Sequence, residues 1–126
     1  MSSLNELKLA KELIRFQSIT PRDAGAINFL RKKLKSLGFK CKILEIKNKK
    51  SNPIKNLYAR LGTKQPNICY AGHTDVVPPG NINDLTVNPF KPTIKKNHLI
   101  GRGANDMKSS IACFIVAVNK FIKNKP

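Results

Sequence analysis

Apolar positions near the start of the chain recur at helical spacing. Leu4, Leu7, Ala10, Leu13 and Ile14 fall on one stripe, the mark of a helix with a single buried face. Ser3 three residues ahead of Glu6 reads as a capping box, each side chain taking an orphan backbone N–H of the first turn. The pattern predicts a helix ending near Gln17. Thr20-Pro21-Arg22-Asp23 is a second start signal, since proline is tolerated in a first turn. Ile27, Leu30, Leu34 and Leu37 mark one face of the helix that follows, and Gly38 suits its C-terminal cap. Arg31, Lys32, Lys33 and Lys35 lie mostly off that stripe, as a solvated face.

The period then shortens to two. Phe39 to Ile46 alternates as a strand does, and Lys47 to Pro53 reads as a polar turn. Asn56 to Leu61 predicts a second strand and Asn67 to Gly72 a third, joined by Gly62-Thr63-Lys64-Gln65-Pro66. Pro78, Pro79, Gly80, Pro89 and Pro92 make the next stretch a loop. Thr93 to Ile100 reads as strand with a turn at Lys96-Asn97. Lys108 to Lys123 predicts the last helix, with Ile111, Ile115, Val118 and Ile122 on one face and Ala112, Val116 and Ala117 widening it. A helix this apolar packs against a sheet. Helices, strands and a closing helix predict a layered α/β fold. The sequence shows no internal repeat and no boundary, so residues 1–126 read as one unit. It ends at Lys125-Pro126, just after a mostly buried helix, and reads as the opening of a domain.

Composition narrows the function. A chain of 126 residues with 40% hydrophobic content is long enough to bury a core. No apolar run approaches the roughly 20 residues that span a bilayer, and Met1 to Glu6 has neither the basic nor the apolar region of a signal peptide. Cys41, Cys69 and Cys113 are odd in number and form no C-x-x-C pair. That argues for a reducing, cytoplasmic setting and for three small hydrophobes in or near a core. The 24 basic and 7 acidic residues give a net charge of +17, which raises a nucleic-acid reading. Yet the lysines are spread along the chain, and Phe39 is the only aromatic residue in the dense stretch from Arg31 to Lys55, so no stacking platform exists there. The abundance of Lys, Asn and Ile fits AT-biased coding, which raises charge without selecting a partner. Neither nucleic acid nor membrane is the expected partner.

Two short stretches carry chemistry. In Ala71-Gly72-His73-Thr74-Asp75-Val76-Val77-Pro78-Pro79-Gly80, His73 and Asp75 sit at the end of a predicted strand, the edge where ligands bind in open α/β sheets. Residues two apart on extended backbone point the same way. The Asp75 carboxylate can therefore lie beside the His73 ring and fix its tautomer, as the outer partner of a metal-binding histidine does. A purely structural His–Asp hydrogen bond is the alternative. In Gly101-Arg102-Gly103-Ala104-Asn105-Asp106 the glycines free the backbone for tight turns, and Asp106 stands just before the last helix. It either caps that helix or bridges metal ions. The stretch lacks the third glycine of a phosphate-binding loop. His98, the other histidine, reads as a surface residue.

Taken together, GHTDVVPPG, PFKPTI and GRGANDMKSS, with SITPRDAG and NLYAR before them, resemble the co-catalytic zinc family of aminoacylases, carboxypeptidases and desuccinylases. The resemblance covers nearly the whole chain, in order. It implies a layered α/β/α zinc-peptidase-like catalytic domain, of which residues 1–126 are an incomplete N-terminal part without the lid and dimerisation domain. It implies His73 as ligand to one zinc, Asp75 as the catalytic residue orienting it, and Asp106 as the carboxylate bridging two metals after a cis bond to Met107. Zinc, with cobalt as a substitute, is the implied cofactor. An N-acylated amino acid is the implied small-molecule substrate, and a homodimer the family's implied assembly. Departures exist: Asn105 and Ser109 stand where the family has smaller residues, and Leu85 where tryptophan is usual. The family's Glu-Glu pair, whose first member is the general base, its further acidic ligand and its late histidine have no counterpart. After Asp106 the sequence holds no acidic residue and no histidine. Partial, weak metal binding and no turnover are therefore expected of these residues alone.

Overall fold

The computed structural model describes residues 4–124. Helix α1, Glu6–Ile14, is capped by Asn5, whose side-chain oxygen accepts the Lys8 N–H at 3.0 Å. Ser3 of the predicted capping box lies outside the described residues. The buried stripe of α1 is Leu9, Ala10, Leu13 and Ile14, while Leu7 is 45% exposed. The apolar stripe thus runs one residue round from the expected face, because Leu9 enters the core.

Helix α2, Ala26–Ser36, starts after a loop organised by Asp23. The backbone N–H groups of Gly25 and Ile27 both donate to its carboxylate at 3.0 Å. Gly38 (φ +91°) closes the helix in the left-handed region, where its N–H donates to Lys35 O and that of Phe39 to Leu34 O. This is the expected glycine cap.

Strands β1, Lys40–Asn48, and β2, Ser51–Arg60, form an antiparallel hairpin. The predicted polar turn from Lys47 to Pro53 is much shorter than expected, and β2 begins five residues before Asn56. The register is regular from Lys40↔Arg60 to Ile46↔Ile54 and shifts just beyond that pair. Pro53 falls in the irregularity, where its missing N–H costs no ladder bond. Short strands β3, Thr93–Lys95, and β4, His98–Ile100, form the second hairpin. Lys96 and Asn97 turn it with φ of 47° and 62°, as a two-residue turn matched to strand twist requires. The two hairpins are the only sheets among the described residues. Among the described residues the predicted strand from Asn67 to Gly72 pairs with no other strand. Its Ile68 is 93% exposed.

Helix α3, Ser109–Lys123, packs against α1. Leu9, Leu13, Leu30, Leu34, Ile111, Ile115 and Val116 form the core, with Phe39, Cys41, Leu57 and Ala59 closing it from the hairpin side. Each large aliphatic side chain removed from water there contributes roughly 1.5–3 kcal/mol. The outer side of α3 is uncovered: Cys113 and Ala117 are exposed and Phe121 is 67% so. Of the cysteines expected near the core only Cys41 is partly buried, and all three are free. Lys120 pairs with Glu6 at 2.8 Å and Lys33 with Glu12 at 3.5 Å. No helix among the described residues is long and apolar enough to cross a membrane.

Candidate metal centre

The segment leaving α1 aligns with the segment carrying His73. Val76 N–H donates to Ser18 O at 2.9 Å and Thr20 N–H to Val76 O at 3.1 Å, which makes Ile19 and Val76 a parallel bridge. Ser18 is fully buried and its hydroxyl donates to Thr74 O at 2.6 Å. Residues 74–76 are therefore held by hydrogen bonds from residues 18–20, in the segment that follows α1.

The glycine-rich stretch closes on the same place. A Cβ at Gly101 would stand 2.6 Å from the Ile14 side chain, and one at Gly103 (φ +80°) 2.7 Å from Val76. Only glycine permits both approaches, and Gly103 needs its left-handed φ as well. The wide turn Ala104–Lys108 follows, non-helical at Asp106 and Met107, and the bond between those two residues is cis, as the resemblance implies. Asp106 does not cap α3, whose cap position is Lys108. The turn instead aims its carboxylate at His73. Lys108 secures it from beneath. Fully buried, it donates from Nζ to Phe16 O at 2.8 Å, and burial pushes its pKa down to about 8.

Asp106 Oδ1 lies 3.0 Å from His73 Nε2. On the other side of the ring, Nδ1 lies 3.0 Å from the Asp75 carbonyl and 3.4 Å from the Asp75 carboxylate. Asp75 thus meets the ring as expected, but its closer atom is the backbone oxygen. The His73 pKa is raised, first by the Asp75 carbonyl and next by the Asp106 carboxylate, with burial opposing. With oxygen acceptors at both nitrogens, the imidazolium satisfies both as a donor. A cation bonded to Nε2 and to Asp106 would replace that proton. Two donors about 3 Å apart suit one ion with bonds of roughly 2.0–2.2 Å to each, and Nδ1–H facing an oxygen fixes the tautomer that leaves Nε2 free to ligate. These donors fit a metal and do not complete its shell: among the described residues no cluster of three or more His, Cys, Asp or Glu could hold an ion. A cleft of about 310 Å³ opens beside them, lined by Thr20, Val77 and Arg102 among others.

His98 stays outside this cleft, exposed on its hairpin with Nδ1 against Lys96 O at 2.7 Å. Sequence reasoning missed Thr20, whose hydroxyl donates to Asp75 Oδ2 at 2.6 Å. It read that residue only as a helix start.

Residues 69–126 match the family described as peptidase family M20/M25/M40. The chain is similar to the succinyl-diaminopimelate desuccinylase of Pelagibacter ubique (strain HTCC1062), 70% identical over 122 residues, covering 97% of this chain and 32% of that protein. It is 49% identical to the desuccinylase of Wolbachia pipientis subsp. Culex pipiens over 97% of this chain and 30% of the other. To that of Caulobacter vibrioides (strain NA1000 / CB15N) it is 51% identical, over 92% and 29%. The chain therefore spans about a third of the length of the curated relatives it matches. Its fold matches a crystal structure of human carnosine dipeptidase 1 with a TM-score of 0.85 at 24% identity, covering 94% of this chain and 28% of that one. The mixed α/β architecture resembles part of that structure.

Proposed function

We propose that this chain carries the first part of the active site of a metal-dependent amidohydrolase that cleaves N-succinyl-diaminopimelate to succinate and diaminopimelate, in cytoplasmic lysine biosynthesis. The observation that carries the reading is the 3.0 Å approach of Asp106 to His73 Nε2, with Asp75 behind the ring. The 70% identity to a desuccinylase supports the choice of acyl group.

In this reading His73 and Asp106 hold metal, zinc or cobalt, and Asp75 keeps the ring in its ligating tautomer. A pair of such ions supplies Lewis-acid polarisation of the amide carbonyl and a nucleophile at neutral pH. The chain's own residues do the positioning. The Gly101–Gly103 turn places the carboxylate, residues 18–20 fix the segment carrying His73, and the cleft admits a small N-acylated amino acid. The general base and the other ligands belong to residues outside this sequence, and so does the surface for a homodimer.

The purified 126-residue chain, supplied with zinc or cobalt, is expected to show no desuccinylase turnover above background. Adding the remaining two thirds of a relative's chain restores it, and Asp106→Ala in the first piece prevents that. Turnover by the 126 residues alone, or restoration by the Asp106 variant, would defeat the proposal.

A further inference from the structure

We propose that Thr20 is a positioning residue of this centre, holding one oxygen of Asp75 so that the other faces the His73 ring. The inference rests on the metal-centre reading above. The Asp75 side chain is half exposed. Its Oδ1 lies 3.4 Å from His73 Nδ1, too far to hold the group there by itself. Its Oδ2 receives the Thr20 hydroxyl at 2.6 Å, the short distance of a bond from O–H to an ionised carboxylate. That is the close hydrogen bond of the Thr20 hydroxyl, since Val76 O stands at 3.5 Å from it.

The hydroxyl is itself on fixed ground. Thr20 N–H is bonded to Val76 O, and Ile19 bridges to Val76. Two residues earlier the buried Ser18 is bonded to Thr74. Thr20 therefore faces Asp75 from a strand-like segment pinned to the segment that carries it. The order of contacts is Thr20 to Asp75, Asp75 to His73, and His73 to Asp106. Without the hydroxyl the carboxylate rotates freely into solvent. At Nδ1 the ring then keeps the Asp75 carbonyl without the carboxylate beside it, and its ligating orientation is less populated.

The test is zinc affinity of the 126-residue chain by calorimetry, with thermal melting alongside. Thr20→Val, nearly isosteric, weakens binding about tenfold, as loss of an outer partner of a ligand does, with melting unchanged. Thr20→Ser restores the affinity. In an Asp75→Ala background, Thr20→Val has no further effect, because its route is gone. Wild-type affinity in Thr20→Val while His73→Ala loses binding would overturn the role of Thr20 alone. Undiminished binding by His73→Ala would overturn the centre itself and this inference with it. A Thr20→Val loss that persists without the Asp75 carboxylate, or that Thr20→Ser fails to repair, would also overturn the positioning role.

Discussion

Asp106 and His73, 33 residues apart in sequence, meet at 3.0 Å between a carboxylate oxygen and Nε2. The contact needs two independent approaches. The turn after Gly103 brings the carboxylate to His73, and the bonds from residues 18–20 to residues 74 and 76 hold the segment from which His73 projects.

That pair is expected to bind zinc loosely, because two protein ligands fall short of the three usual in catalytic zinc sites. His73→Ala and Asp106→Ala should each weaken binding at least ~tenfold, more than loss of an outer partner typically costs at minimum. Calorimetry on the chain and both variants checks this. Tight binding indifferent to both changes would place the ion elsewhere, for instance on the exposed Cys69 or Cys113.

Ser18→Ala should destabilise the chain by about 0.5–1.5 kcal/mol, the usual net worth of a hydrogen bond. The residue is fully buried and its hydroxyl serves Thr74 O at 2.6 Å. Urea unfolding measures the loss. An unchanged midpoint would mean that water reaches that carbonyl.

Gly103 and Gly80 have nearly the same backbone angle, φ of 80° and 81°, in different surroundings. A Cβ at Gly103 meets Val76 at 2.7 Å, while at Gly80 nothing lies within 4 Å. Alanine at Gly80 should cost ~1 kcal/mol, from the left-handed conformation alone. At Gly103 it should cost ~2–4 kcal/mol, the packing clash adding 1–3, and it should loosen zinc as the Asp106 turn shifts. Equal losses at the two sites would remove the close approach as the reason for glycine at 103.

The sequence made some of this legible and hid the rest for physical reasons. Lys96-Asn97 was readable because a two-residue hairpin turn depends on its own two residues. The segment from Asn67 to Gly72 was readable as a strand pattern, but a ladder needs a neighbour, and among the described residues it pairs with none. The β1–β2 turn was misjudged because Pro53 reads as a strand breaker, whereas a register shift next to Ile46↔Ile54 absorbs it. His73, Asp75 and Asp106 could be grouped through their motifs. Thr20 could not, since its bond to Asp75 spans 55 positions and a threonine ahead of a proline carries no mark of such a contact.

Lys108 offers the strongest test of how the turn is supported. Its side chain is wholly buried, and its one bond runs from Nζ to Phe16 O at 2.8 Å. Burial takes its pKa from 10.5 to about 8, so keeping the charge inside at neutral pH costs about 3–4 kcal/mol, at ~1.4 kcal/mol per pKa unit. A hydrogen bond from a charged donor returns roughly 1.5–3 kcal/mol. The two nearly cancel, which leaves the aliphatic stem as the net contribution, packed beside Gly103. Lys108→Met keeps the stem and loses the charge, and should lie within about 1 kcal/mol of the wild type at pH 7. Lys108→Ala also removes the stem and should cost ~2–5 kcal/mol through the cavity left behind. Denaturant unfolding of both variants decides it. A large loss in Lys108→Met, equal to that in Lys108→Ala, would show that the bond to Phe16, rather than packing, ties the end of α1 to the start of α3.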